Sequence, residues 1–188
     1  MVAKQLYEQS LQLDLVADAV LSGGVIAYPT EGVWGLGCNP MDEVAVNRVL
    51  QLKQRPASKG LILVAGSRDQ FQQCLVEIPD FPAMPEPTTW LVRHGGLTPE
   101  WVSGGREKVA IRVSQHPLIM AICAKVGMPI VSTSANPSSM EPASSAEQVR
   151  HYFGDLVDVI VPGSLGGASG ASQIIDWETK EVARGPTA

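Results

Sequence analysis

Asp42-Glu43-Val44-Ala45-Val46-Asn47-Arg48-Val49-Leu50-Gln51-Leu52-Lys53-Gln54-Arg55-Pro56-Ala57-Ser58-Lys59-Gly60-Leu61-Ile62-Leu63-Val64-Ala65 spells out one helix, one basic loop and one strand in succession. Asp42 has the side chain of a helix N-cap, and Val46, Val49, Leu50 and Lys53 follow at helical spacing. Leu61 to Ala65 is uninterrupted apolar sequence, the signature of a strand covered on both faces. Between them lie three positive charges within seven residues, Lys53, Arg55 and Lys59. From Val44 to Arg68 there is no Asp or Glu, although the chain as a whole carries a net charge of -5.

The same alternation extends in both directions. Upstream, Leu13, Val16, Ala17, Val20 and Leu21 fall at helical spacing and Gly23-Gly24 supplies the stop. Val25 to Tyr28 reads as a buried strand broken by Pro29, and Val33 to Cys38 as a second extended segment. Downstream, Ser67 and Gln70 have capping-box spacing for a short helix, and Val76 to Pro87 is Pro-rich and irregular. Thr88 to Arg93 and Val109 to Val113 read as strands. His116-Pro117 opens a helix through Lys125 that stops at Gly127, and Ile130 to Ser132 is the next strand. Ser145 and Gln148 repeat the capping-box spacing before a helix ending at Gly154. Val157 to Val161 is a late strand. A loop with Gly163, Gly166, Gly167 and Gly170 leads to a hairpin, Ser172 to Asp176 and Glu181 to Arg184, and Thr187-Ala188 reads as a frayed end. Strands alternating with helices over 188 residues predict one α/β domain, residues 1–188, around a largely buried mixed sheet.

Composition narrows the function classes. The apolar runs are about five residues long, far short of a membrane span. The N-terminus lacks the basic-then-apolar layout of a secretory signal. Cys38, Cys74 and Cys123 are widely spaced and form no CxxC or Cys/His cluster, which predicts reduced thiols in a cytoplasmic protein and no protein-built metal site. There is no GxxxxGK[ST] phosphate loop, and no HExxH or GxSxG. The net negative charge argues against a chain coated in nucleic acid.

Four stretches can carry chemistry. The basic loop offers the Arg55 fork and the Lys53 and Lys59 point charges to a polyanion such as a nucleotide triphosphate; it reads equally as a solvated helix end. Ser132-Thr133-Ser134-Ala135-Asn136-Pro137-Ser138-Ser139 follows a strand, where small hydroxyl and amide groups orient ligands in α/β folds, or simply make a turn. Arg112 interrupts the apolar strand Val109 to Val113 and must face a cleft, meeting either a substrate carboxylate or a protein acid. Tyr28-Pro29-Thr30-Glu31 delivers a hydroxyl and a carboxylate at a strand end; Glu31 can balance the basic cluster or help hold a metal ion.

Taken together, Tyr28-Pro29-Thr30-Glu31 with Gly35-Leu36-Gly37, Lys53-x-Arg55-Pro56-x-x-Lys59-Gly60-Leu61, Ala110-Ile111-Arg112-Val113 with His116-Pro117, and Ser132-Thr133-Ser134-Ala135-Asn136 resemble the YrdC-type family in order and spacing, from about Leu13 to Arg184. The resemblance implies a twisted mixed sheet with helices around a concave, positively lined cavity. It implies condensation of L-threonine, bicarbonate or carbon dioxide, and ATP to threonylcarbamoyl-adenylate and pyrophosphate, with Mg2+ accompanying ATP. A downstream tRNA threonylcarbamoyl transferase complex would consume the product. Residue by residue, Lys53 and Arg55 would be catalytic, and Lys53, Arg55, Lys59, Asn136, Ser144 and Arg184 would hold ATP. Thr30, Arg112, Ser134 and Ser172 would contact threonine.

The chain departs from the family pattern where Met84-Pro85-Glu86-Pro87-Thr88-Thr89 replaces the usual Trp-Pro-Gly-Pro before Thr. Ser138-Ser139 replaces the usual Ser-Gly. Two other readings therefore stand beside the enzyme: an RNA-binding or ribosome-maturation factor using the same concave surface, and a catalytically reduced YrdC paralogue.

Overall fold

The computed structural model describes residues 2–82 and 84–185, with side chains from Ser10 onward; the closing Thr187-Ala188 lies outside the described residues. In chain order the elements are α1 Val2–Leu21, β1 Ile26–Pro29, β2 Trp34–Gly37, α2 Glu43–Leu52, β3 Ile62–Ala65, β4 Thr88–Arg93, α3 Glu100–Ser103, β5 Lys108–Val113, α4 Pro117–Val126, β6 Ile130–Ser134, α5 Ala146–Phe153, β7 Val159–Ile160, β8 Gln173–Asp176 and β9 Val182–Arg184. The strands form one mixed sheet in the order β7-β1-β2-β6-β3-β5-β4-β8-β9. Pairs β1–β7, β3–β5 and β4–β8 are parallel and the other five antiparallel.

Side chains alternate across this sheet. Ala27, Leu36, Leu63, Ala65, Ile111 and Val131 enter one core with α2 and α5. Ile26, Tyr28, Val64 and Ile130 enter a second core with α1 and α4. Alpha4 rests on β3 and α1 on β1 and α4, so these two helices cover only part of the second face. Ile62, Ala110, Arg112, Ser132 and Ser134 line a cavity on the uncovered part. The register explains why they share it: Ile62 pairs with Ala110 and Ser132, and Ser134 pairs with Gly35. In β2, a side chain at Gly37 would run into the Val131 carbonyl and the Tyr28 ring, so glycine there lets β2 lie close to its neighbours.

The local signals are met with small shifts. Asp42 caps α2 through Ala45 N, and Ser67 with Gln70 closes a full capping box, on a 3-10 turn over Arg68–Gln73 rather than an α-helix. Ser145 caps α5 by accepting from Gln148 N, but the Gln148 side chain reaches Ser144 N instead of completing the box at Ser145. Beta6 runs on to Ser134, two residues beyond the predicted strand, because its end pairs with β2. The four-residue α3 carries too short a pattern to be read from sequence.

Candidate active site

The cavity encloses about 540 Å³. Its floor is made of small residues, Gly35, Ala110, Ser132 and Ser134, and its walls of cations. Helix α2 delivers the first of these. It ends in a Schellman turn, with Gln54 N donating to Gln51 O and Arg55 N to Leu50 O. Gln54 takes the left-handed conformation (φ 50°) usually given to glycine at this position. The reversal turns Lys53 inward and sends Arg55 back toward the 3-10 turn Ala57–Lys59.

Lys53 is buried, and its Nζ donates to Ser134 O at 2.5 Å, Asn136 O at 2.9 Å and Asn136 Oδ1 at 3.1 Å. The bond is returned from the other side: Ser138 N and Oγ both donate to Lys53 O, at 2.9 and 2.6 Å. The basic loop and the Ser134–Asn136 segment are thus stitched into one wall. Burial, and then the neighbouring Arg55 charge, lower the Lys53 ammonium from its ordinary value to about 8. Arg55 donates Nε and Nη2 to Gly60 O, at 3.2 and 3.0 Å. Burial, followed by the charges of Arg184 and Arg106, lowers its pKa as well.

The cavity cations divide by their partners. Arg112 is paired with Glu31 (Nη1 to Oε2, 3.1 Å), and Lys108 with Asp176 and Glu178. Arg55, Lys59, Arg106 and Arg184 have no carboxylate partner among the described residues; Arg106 and Arg184 donate only to carbonyls, those of Ser58 and Ser172. Four unneutralised cations around one rim are a site for a polyanion. The paired Arg112 lines the same cavity, as do Thr30 and Ser172, whose buried hydroxyl lies 2.7 Å from that of Thr89.

The sequence profile of the Sua5/YciO/YrdC family, described as "Telomere recombination", matches residues 18–184. The chain belongs to that family. Among curated Sua5/YciO/YrdC relatives, the threonylcarbamoyl-AMP synthase of Marinobacter nauticus is 50% identical over 181 residues, covering 93% of this chain and 95% of its own. That of Stutzerimonas stutzeri is 48% identical, covering 90% and 94%. Of solved structures, P. abyssi Sua5 complexed with L-threonine superposes with a TM-score of 0.80 at 30% identity, covering 88% of this chain and 52% of that one. The chain thus spans about half the length of that Sua5 protein. E. coli YciO shares the fold at a TM-score of 0.79 and 24% identity, covering 94% and 89%.

Within this Sua5/YciO/YrdC cavity the structure gathers Thr30, Lys53, Arg55, Lys59, Arg112, Ser134, Asn136, Ser172 and Arg184. Ser144 is exposed, bonded to Gln148, and not among the lining residues; neither is Glu86, on the exposed stretch before β4. Asn136 is committed to its own wall, with Nδ2 donating to Pro137 O and Met140 O. Sequence reasoning missed Arg106, which stands apart from every basic cluster in the chain but packs beside Ser58. His116 occupies the N-cap position of α4 without a side-chain cap bond, and its Nε2 donates to Ser164 O at 3.0 Å. Among the described residues no three of His, Cys, Asp or Glu gather where they could hold a metal ion, and no helix is long and apolar enough to cross a membrane.

Proposed function

We propose that this chain is a threonylcarbamoyl-AMP synthase that uses L-threonine, bicarbonate or carbon dioxide, and ATP. The observation that carries the reading is that one cavity is lined both by four cations without a carboxylate partner and by a buried arginine paired with Glu31. The first suits a triphosphate and the second an amino-acid carboxylate. Curated relatives sharing 48–50% identity across nine-tenths of the chain bear the same name, and one relative was crystallised with L-threonine. These similarities favour the synthase over an RNA-binding factor or a reduced paralogue.

The chemistry needs positioning more than a protein nucleophile. Threonine's amine condenses with bicarbonate to a carbamate, releasing water. A carbamate oxygen then forms a bond to the α-phosphorus as the bond to the bridging oxygen breaks, and pyrophosphate leaves. In this reading Arg55, Lys59, Arg106 and Arg184 take the charge of the departing pyrophosphate. Lys53, its Nζ held by Ser134 and Asn136, adds its charge to the same phosphate site. Thr30, Arg112, Ser134 and Ser172 would orient threonine and its carbamate, and Asn136 supports the nucleotide wall through Lys53. Mg2+ would enter on the triphosphate, which itself supplies the oxygen ligands that this ion favours.

The product is a reactive mixed anhydride, and we read a tRNA threonylcarbamoyl transferase complex as its acceptor. The test is pyrophosphate release from ATP, which should require L-threonine, bicarbonate and Mg2+ together. Release independent of threonine, or none at all, would overturn the proposal.

A further inference from the structure

Arg112 is almost enclosed, with 9% of its side chain exposed, and Glu31, at 14%, meets it from the turn after β1. One end of the guanidinium, Nη1, forms an ion pair with Glu31 Oε2 at 3.1 Å, and both Glu31 Oε2 and the Arg112 Nε–H are buried without a hydrogen-bond partner among the described residues. Arg112 also lines the cavity, so the part of the guanidinium that Glu31 does not hold is open to a bound acceptor. Glu31 is itself fixed by two further hydrogen bonds. Its Oε1 accepts the Ser114 hydroxyl at 2.6 Å. Ser114 Oγ accepts from His116 N at 3.1 Å, so its single proton is directed to the carboxylate. The Glu31 carbonyl accepts from Ala168 N at 2.8 Å, from the Gly-rich loop before β8. Burial pushes the Glu31 carboxyl up, but Arg112 and then the Ser114 hydroxyl pull it below the usual carboxylate range, so it stays charged.

We infer that Glu31 is a positioning residue for the amino-acid substrate: by pairing with Nη1 it fixes the Arg112 guanidinium so that its remaining, cavity-lining edge receives the substrate carboxylate. This rests on the function proposed above. Glu31 fixes the rotation of the guanidinium, which otherwise has several edges to offer. Sequence reading gave Glu31 only general roles, as a balancing charge or a metal ligand.

The experiment compares binding of L-threonine with that of L-threonine amide, which lacks the carboxylate charge, in the wild type and in Glu31→Gln. Pyrophosphate release by the wild type is the control; failure of its threonine dependence would sink the functional reading before any variant is measured. With that control met, the wild type should prefer threonine to the amide. Glu31→Gln should weaken threonine by about tenfold, the size of a coupling between residues in contact. Amide binding and the KM for ATP should change by less than about twofold on the same scale. Glu31→Asp, which keeps the charge, should restore part of the preference. If Glu31→Gln keeps the wild-type preference, or weakens both ligands equally, the inference is overturned. Should Glu31→Gln fail to fold, Ser114→Ala removes one support of the carboxylate and must show the same selective loss, in smaller measure, for the inference to stand.

Discussion

Lys53 gives the sharpest test of the triphosphate region, through pH. Its ammonium is lowered to about 8, whereas the cavity's arginines do not lose their protons in water. If the triphosphate draws on the Lys53 charge, binding restores the proton and raises the pKa above the measured window. At pKa 8 the protonated fraction falls from about three-quarters at pH 7.5 to about one-tenth at pH 9, so ATP affinity should drop about eightfold across that interval. Titrating the analogue alone across the same interval subtracts the ionisation of its terminal phosphate. Calorimetry with a non-hydrolysable ATP analogue at pH 8.5, in two buffers of different ionisation enthalpy, should register uptake of about three-quarters of a proton. Lys53→Met should bind more weakly and show neither effect. The apo protein should show the opposite trend. The folded-state value of Lys53 lies below that of the unfolded chain, so between pH 8 and 10.5 the unfolded state holds more protons and stability rises with pH, by about 3 kcal/mol at most. A flat affinity from pH 7.5 to 9, with no buffer-dependent heat, would refute the placing of Lys53 against the phosphates.

Other outcomes follow from the same geometry. Arg55→Ala should keep the fold and lose about 2–4 kcal/mol of transition-state stabilisation in pyrophosphate release; near-normal turnover would count against it as a phosphate ligand. Arg106→Ala should raise the KM for ATP, and for pyrophosphate in the reverse reaction, without moving the KM for threonine; equal changes in all three would show a structural role instead. Gln54→Gly should stabilise the protein by about 1 kcal/mol in urea unfolding, because glycine takes the left-handed C′ position without strain. An unchanged midpoint would mean that the Schellman turn holds Gln54 at little cost. At Gly32 an added Cβ would drive into the Gly170 carbonyl. Gly32→Ala should therefore lift the Gly-rich loop, cost about 1–3 kcal/mol, and reduce threonine-dependent turnover. A stable, fully active variant would show that this loop is free to move aside.

Much of the fold was legible because its signals are local. Asp42, Ser67 and Ser145 act as caps in the structure, and the apolar run Leu61 to Ala65 contains β3, Ile62–Ala65, which lies between β6 and β5 with Ile62 open to the cavity. The boundaries moved where a neighbour decided them: β6 continues to Ser134 because β2 lies alongside, and β7 is cut to Val159–Ile160, the two residues that pair with β1. Strand order had no local signal, since it depends on which strands meet across long loops.

The site divides along the same line. The chain by itself determined that Lys53, Arg55 and Lys59 form an acid-free cluster at a helix end, and that Arg112 stands alone in an apolar strand. Those facts require only composition and period. Only the tertiary structure decided what each charge does. It gave Arg112 a carboxylate from a distant turn, locked Lys108 to Asp176, and left Arg55, Arg106 and Arg184 without acids around one rim. It also bent Lys53 away from solvent onto the carbonyls of Ser134 and Asn136. The physical reason is that the role of a charge depends on its desolvation and its nearest opposite charge, and both are set through space by strands that are far apart in the chain.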